Sequence, residues 1–473
     1  MYAFFAVLFF CAFEGSLSRA AEDRTVFSQP ALNLSDAERF EAVIGRNLFE
    51  RIWVSSPSST QSTDGLGPLF NARSCAACHV HNGRGTPPLK DLSNPSLLLR
   101  LGIPQSLPDN PANSQRGQAL AKPDPRYGKQ LQTSAISGFK PEARVRVTWH
   151  EKQGHEKQGH EKQGRGKTDP YAPSLRFPTW HLDNLAYGPL HPETVVSARL
   201  SPAIAGLGFL EAVPDSALLA AADPDDKDQD GISGRPHWVW SHEKKAMSIG
   251  RFGWKNGQAT LDDQNQSAFH ADIGISTPFF PTPAGDCTDT QKSCKNAMHG
   301  ERAPLKGPGL VEREAPKIVT DAVLSFIRSL APPTQRHPKD TRVQQGYQIF
   351  KSIGCTKCHT SQLVTGHQTE RPWLSEKTIA PFTDLLLHDM GDGLADDLPE
   401  GNAEGREWRT PPLWGVGQAS LVNGSAFYLH DGRARTLTEA ILWHDGEARN
   451  VRLSFQALSE ADQKALLQFL HSL

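Results

Sequence analysis

The chain has no excess of either charge, no apolar run long enough to cross a bilayer, and few cysteines for its length. Its 50 Lys and Arg stand against 52 Asp and Glu, which leaves no basic footprint for nucleic acid. The one strongly apolar stretch, Tyr2 to Phe13, ends at Glu14 and falls short of the about 20 residues a spanning helix needs. No membrane span is therefore expected. Seven cysteines in 473 residues exclude a small disulfide scaffold, and 38% apolar content excludes a disordered or collagen-like chain. With 39 Gly and 35 Pro, turns must be frequent and long uninterrupted helices are disfavoured. At roughly 150 residues per domain the length suggests two or three domains.

The short apolar run is followed by Ser18-Arg19-Ala20, a small-residue cleavage site. Residues 1–20 thus read as a secretory signal peptide, although without a basic start, and the mature protein is expected in the periplasm. Removal of that segment takes Cys11 with it.

Four of the remaining cysteines fall into two motifs, Cys75-Ala-Ala-Cys78-His79 and Cys355-Thr-Lys-Cys358-His359. C-x-x-C-H is the attachment signature of c-type haem. Two thiols three positions apart can each form a thioether to one porphyrin edge, and the next residue then sits beneath the iron as proximal imidazole. Zinc held by two C-x-x-C pairs would explain the cysteines but not a histidine directly after both. Two covalently bound c-type haems are expected. Cys287 and Cys294 are left over and, in an oxidising compartment, most simply close a disulfide loop.

The flanks repeat as well. Gly346-Tyr-Gln-Ile-Phe350 leads as a helical turn into Cys355, and Ser35-Asp-Ala-Glu38 forms a capping box. That box opens a helix with Phe40, Val43, Ile44 and Leu48 on one face. Ala331-Pro332-Pro333 is the expected linker between two haem units. The segment Ala143 to Trp149 alternates like a strand. The His-Glu-Lys-Gln-Gly pentad that begins at His150 and runs to Gly164 reads as an expanded hairpin loop. Asp226-Lys-Asp228-Gln-Asp230-Gly231 is the front half of a calcium loop, with aspartates that can converge on one hard cation. Its twelfth position is His237 rather than glutamate, so the loop is not a full EF-hand, and Asp223 or Asp225 could complete the shell.

Many of these segments together resemble the di-haem oxidoreductase (putative peroxidase) family, distantly similar to bacterial di-haem cytochrome c peroxidases and MauG-type enzymes. The resemblance is carried by Ser74 to His79 with Gly83-Arg-Gly85, Tyr127 to Gln132, Gly206 to Ala212, Asp223 to Gly234 and Gly250 to Lys255. It continues through Leu385 to Gly391, Glu407 to Gly415, Leu429 to Ala434 and Ala440 to Ala448. It implies one electron-transfer haem and one haem where peroxide or another oxidant reacts, with a redox partner protein or small electron donor.

The resemblance also implies roles for single residues. His444 stands where those enzymes place a methionine ligand to the electron-transfer haem; His388, Met390 and His430 are rivals. Imidazole in place of thioether keeps the iron six-coordinate at a lower potential. Asp272, in Ala271-Asp-Ile-Gly274, matches the peroxidases' distal glutamate with a shorter reach, and Glu211 and His270 are the next candidates. A group there must move a proton between the two peroxide oxygens. Trp254 matches the tryptophan that lies between the two irons.

The expected fold is mainly α: two cytochrome c-like haem domains, 21–333 and 334–473, with strand and loop insertions. The competing reading is a di-haem electron-transfer cytochrome without catalysis.

Overall fold

The computed structural model describes residues 24–60, 63–88, 94–105, 121–152, 174–301 and 312–473. The expected signal segment and all but the start of the pentad repeat lie outside these residues.

Helix α1 (Asp36–Glu50) starts at the capping box: Ser35 Oγ accepts from the Glu38 amide, and the Glu38 carboxylate accepts from the Ser35 amide at 2.7 Å. Two otherwise unsatisfied amides are thereby paired at the helix start. The face that α1 buries differs from the one its large apolar residues mark. Ala42, Gly45, Leu48 and Phe49 are buried, whereas Phe40, Val43 and Ile44 are exposed. The reason is the partner helix, α3 (Lys317–Ser329), which crosses so close that a Cβ on Gly45 would collide with the Ala322 carbonyl. A crossing that tight selects small residues and leaves no room for Val43 or Phe40. Helix α2 (Leu261–Ala268), N-capped by Thr260, lies between them in sequence and packs on α3.

A second pair repeats this geometry. Helix α4 (Thr341–Ser352), N-capped by Asp340, crosses α6 (Glu460–Ser472), N-capped by Ser459. A Cβ on Gly346 would collide with the Ala465 carbonyl and crowd Phe469 Cβ, as one on Gly45 would meet Ala322 and Phe326. The rings repeat too. Phe49–Phe326 and Phe350–Phe469 are both 5.3 Å apart. Between the pairs, Leu330 and Ala331 are tied back to Pro30 and Gln29 rather than hanging free. The short helix α5 (Leu437–Leu442), N-capped by Thr436, precedes α6.

The chain between and around these pairs is largely strand and irregular backbone. Strand β1 (Leu97–Pro104) is central in a three-stranded antiparallel sheet with β2 (Ala121–Lys122) and β5 (Val195–Leu200), in register Leu97 opposite Leu200. Leu97, Leu99 and Leu101 alternate into a core with Tyr127, Leu131, Ala198 and Leu200, as a half-buried strand requires. The hairpin of β3 (Arg144–Lys152) and β4 (Leu175–Asp183) pairs Arg144 with Asp183 and Lys152 with Leu175. A short pair, β6 (Leu387–Asp389) and β7 (Glu407–Arg409), sits beside the second helix pair.

The expectation of a mainly α fold is thus corrected. Among the described residues helix accounts for only 31% and strand for 18%, in several small sheets. Haem motifs require a short helix on either side of the attachment turn, not helices throughout. The leucine run of β1 buries alternate residues, β5 buries Ser197 to Leu200 in succession, β3 buries Val145, and all three form sheet. No described helix is long and apolar enough to cross a membrane.

Candidate active site: two histidine cavities with one shared wall

Cys75–Cys78 forms one helical turn, capped by Ser74 Oγ accepting from the Ala77 amide at 3.2 Å. It delivers His79 to a cavity of about 250 Å³. Cys355–Lys357 forms the equivalent turn after α4 and delivers His359 to a second cavity of about 210 Å³. Each imidazole is oriented by a backbone carbonyl. His79 Nδ1 lies 2.8 Å from Pro202 O, and His359 Nδ1 lies 2.9 Å from Phe382 O. Each is flanked by a phenylalanine at 6.2 Å, Phe49 and Phe350. A carbonyl can only accept, so Nδ1 carries the proton and Nε2 is left basic for a metal. Burial pushes both imidazoles down to about 4, which keeps them neutral at ordinary pH.

Cys75, Cys78, Cys355 and Cys358 are free, and Cys287 is joined to Cys294. Burial pushes the Cys75 and Cys355 thiols up to about 12, unlike thiolates poised for metal. The two cysteine pairs line different cavities, so no four-sulfur zinc site is assembled.

The other lining residues of the two cavities differ. Among the residues lining the first, His79 is the only imidazole and there is no methionine. The second is lined by His359, His388, His430, His444 and Met390. Hydrogen bonding separates the four rivals. His388 is clamped by Asp384 at 2.9 Å on Nε2 and Glu447 at 2.6 Å on Nδ1, with both nitrogens consumed. Those carboxylates hold His388 well above the ordinary imidazole range despite its burial. His430 lies flat on Trp408, with centroids 3.9 Å apart, and burial pushes it down to about 3. Met390 is half-buried on the cavity wall. His444, just past α5, donates Nδ1–H to Ala440 O at 2.8 Å and keeps Nε2 free, the same pattern as His79 and His359.

Asp272 lines the first cavity from a wide, π-type helical turn, Phe269–Ile273, that continues α2. Such turns are frequent at functional sites. Its carbonyl accepts from the Asn71 and Ala72 amides, which fasten the turn just ahead of Cys75. Its carboxylate accepts from Gln130 Nε2 at 2.8 Å, and burial raises its pKa against that bond. Glu211 lies outside both cavity walls. It accepts twice from Arg328, at 2.6 and 3.0 Å, and from the Leu261 amide at the start of α2. His270 is outside them as well, stacked on Phe280. Trp254 lines both cavities, with Nε1–H donated to Leu200 O at 2.7 Å.

In the acidic loop, carboxylate oxygens of Asp223, Asp226 and Asp228 lie within 4.8 Å of one another. Asp230 turns away to Lys357 Nζ at 2.8 Å, and His237 is buried on Lys255 O.

Three wall residues were not anticipated. Arg84, Arg409 and Tyr428 line both cavities together with Trp254. The signal was present, since each lies in or beside a segment carrying the family resemblance. A buried arginine, however, looks the same in sequence as an exposed one.

Two apolar cavities, each entered by an imidazole with a free Nε2 beside a cysteine pair, suit two haems, and they share one wall. This is the architecture of a di-haem redox protein. The family described as "Di-haem oxidoreductase, putative peroxidase" matches residues 14–104 and 176–473, and the chain belongs to it. The unmatched stretch includes all of β3. No curated protein matches it. A solved structure of Kuenenia stuttgartiensis hydrazine synthase under xenon pressure is 19% identical, with a TM-score of 0.21, over 33% of this chain and 55% of that one. The chain thus spans about half the length of that relative, a likeness too slight to carry fold or function.

Proposed function

We propose that the protein is an exported, periplasmic c-type enzyme that reduces peroxide, or uses another oxidant, at the His79 haem, with electrons delivered through the His359 haem. The observation that carries this reading is the asymmetry of the two cavity linings. The first cavity offers no second imidazole or methionine, while the second offers His444 with its Nε2 free. We assign the units to 21–333 and 334–473, with covalent attachment at Cys75 and Cys78 and at Cys355 and Cys358. Haem iron supplies the redox chemistry when bound. Asp272 accepts the proton from the inner peroxide oxygen and returns it to the outer one. Gln130 holds Asp272 in place. Trp254 lies on the path for electrons between the cavities, and the donor is a redox partner protein or a small reductant.

Electron paramagnetic resonance of the ferric, haem-loaded protein tests this. One high-spin and one low-spin haem are expected, with peroxide perturbing the high-spin signal. Two low-spin haems indifferent to peroxide, before and after half-reduction, would instead establish an electron-transfer cytochrome. Changing His444→Ala is expected to convert the second haem to high spin and raise its potential, since it removes a strong-field ligand. A spectrum unchanged by that substitution would reassign the ligand.

We also propose that Asp223, Asp226 and Asp228 take one calcium ion as a structural clamp, with Asp230 serving Lys357 instead. Calorimetric titration with calcium should show one site in the wild type and none in Asp226→Asn; equal heats in both would remove the site.

A further inference from the structure

Burying a guanidinium without an anion is costly, and buried arginines are normally paired. This protein follows the rule at Arg199 with Asp396 and Glu400, at Arg251 with Asp215, at Arg328 with Glu211 and at Arg433 with Asp431. Arg84 and Arg409 depart from it. Among the described residues neither pairs with a carboxylate. The nearest acids are already committed, Asp431 to Arg433 at 2.8 Å and Asp384 to His388 at 2.9 Å. Arg84 lies over the Trp254 ring, 5.1 Å from its centroid, donates to Leu429 O, and leaves Nε buried without a partner. Arg409 donates Nε–H to Gly253 O at 2.9 Å. Desolvation drags both guanidiniums down to about 10, the sign of cations buried without adequate compensation. Both line both cavities.

We propose that Arg84 and Arg409 bind the propionate carboxylates of the two haems at the shared wall, and that the cofactors thereby complete a charge balance the polypeptide leaves open. Haem brings two carboxylates per molecule, and planar guanidinium forks match carboxylate geometry. The cations also act on the irons. A positive charge beside a haem favours the electron-added form, so its removal must lower the potential. Arg176 is the internal control. It is buried and also lacks a carboxylate, but it donates to Gly432 O, covers the Trp149 ring at 3.7 Å and lines neither cavity.

The inference rests on both cavities holding haem, so haem content is measured first. Fewer than two haems per wild-type chain by pyridine haemochrome would defeat that premise rather than the anchor. With two present, Arg84→Gln and Arg409→Gln are each expected to shift the reduced-to-oxidised ratio of at least one haem about tenfold toward oxidised at fixed potential. For a one-electron couple that is about 59 mV. Arg176→Gln is expected to shift neither. Resonance Raman propionate-bending bands should move in both Gln variants. Unchanged potentials and unchanged bands in both would overturn the proposal. Should the Gln variants not load haem, Arg84→Lys and Arg409→Lys keep the charge but lose the fork. They are expected to hold the potentials and still move the bands, and unmoved bands would overturn the proposal equally.

Discussion

In the haem-loaded protein, Asp272→Asn is expected to slow the reaction with peroxide by about 10² to 10⁴, the usual contribution of a positioned acid–base group. The exchange is nearly isosteric. The amide that replaces the carboxylate could still accept from Gln130 and leave the backbone bonds to Asn71 and Ala72 intact. The loss would therefore report proton transfer and not collapse of the turn. The pH dependence gives a second reading. Only the carboxylate can take the first proton, so the wild-type rate should fall as pH drops through the Asp272 pKa. Burial raises that pKa above the ordinary carboxylate value, which places the acid limb at a higher pH than an exposed aspartate would give. The variant should lose this limb. Stopped-flow mixing with peroxide across the acid range checks both, and a variant with the wild-type rate and profile would remove Asp272 from the mechanism.

Glu211→Gln should show the opposite pattern, with large damage to stability and little to chemistry. The Arg328 side chain is only 8% exposed and its fork is filled by Glu211. Breaking such a pair leaves a buried cation uncompensated and costs about 3 kcal/mol. The amide oxygen of Gln could still accept from the Leu261 amide at the start of α2, so the loss reports the Arg328 pair. Denaturant unfolding of the holoprotein should show a lower midpoint, while the peroxide rate of the folded fraction stays near wild type. A peroxide rate depressed as far as in Asp272→Asn, with stability intact, would return Glu211 to the list of acids.

These two carboxylates show where sequence reading succeeds and where it stops. Both lie in family-like segments and both are acidic residues in short turns, so nothing in the chain order separates them. The deciding facts are a guanidinium 117 positions away from Glu211 and an amide 142 positions away from Asp272. The attachment turns and the Ser35 capping box were legible because their chemistry is local. The strand at Ala143 to Trp149 was legible through its alternation. The packed face of α1 was not, because large apolar residues dominate a periodicity reading while Gly45 and Ala42 make the actual crossing. The overall class was misjudged for a related reason. Haem motifs announce the helices around them, but the sheets of β1, β2 and β5 are announced only by short runs elsewhere. Arg84 and Arg409 stayed invisible because an unpaired cation is defined by what does not surround it.

The duplicated helix crossings have one more consequence. Gly45 and Gly346, Phe49 and Phe350, and the carbonyls of Pro202 and Phe382 give both proximal imidazoles nearly the same bed. The two irons therefore share one half of their surroundings, and the protein carries its own reference sample. With both haems bound, any contrast between them in spin, potential or ligand exchange would report the parts of the two cavities that differ, compared within a single chain.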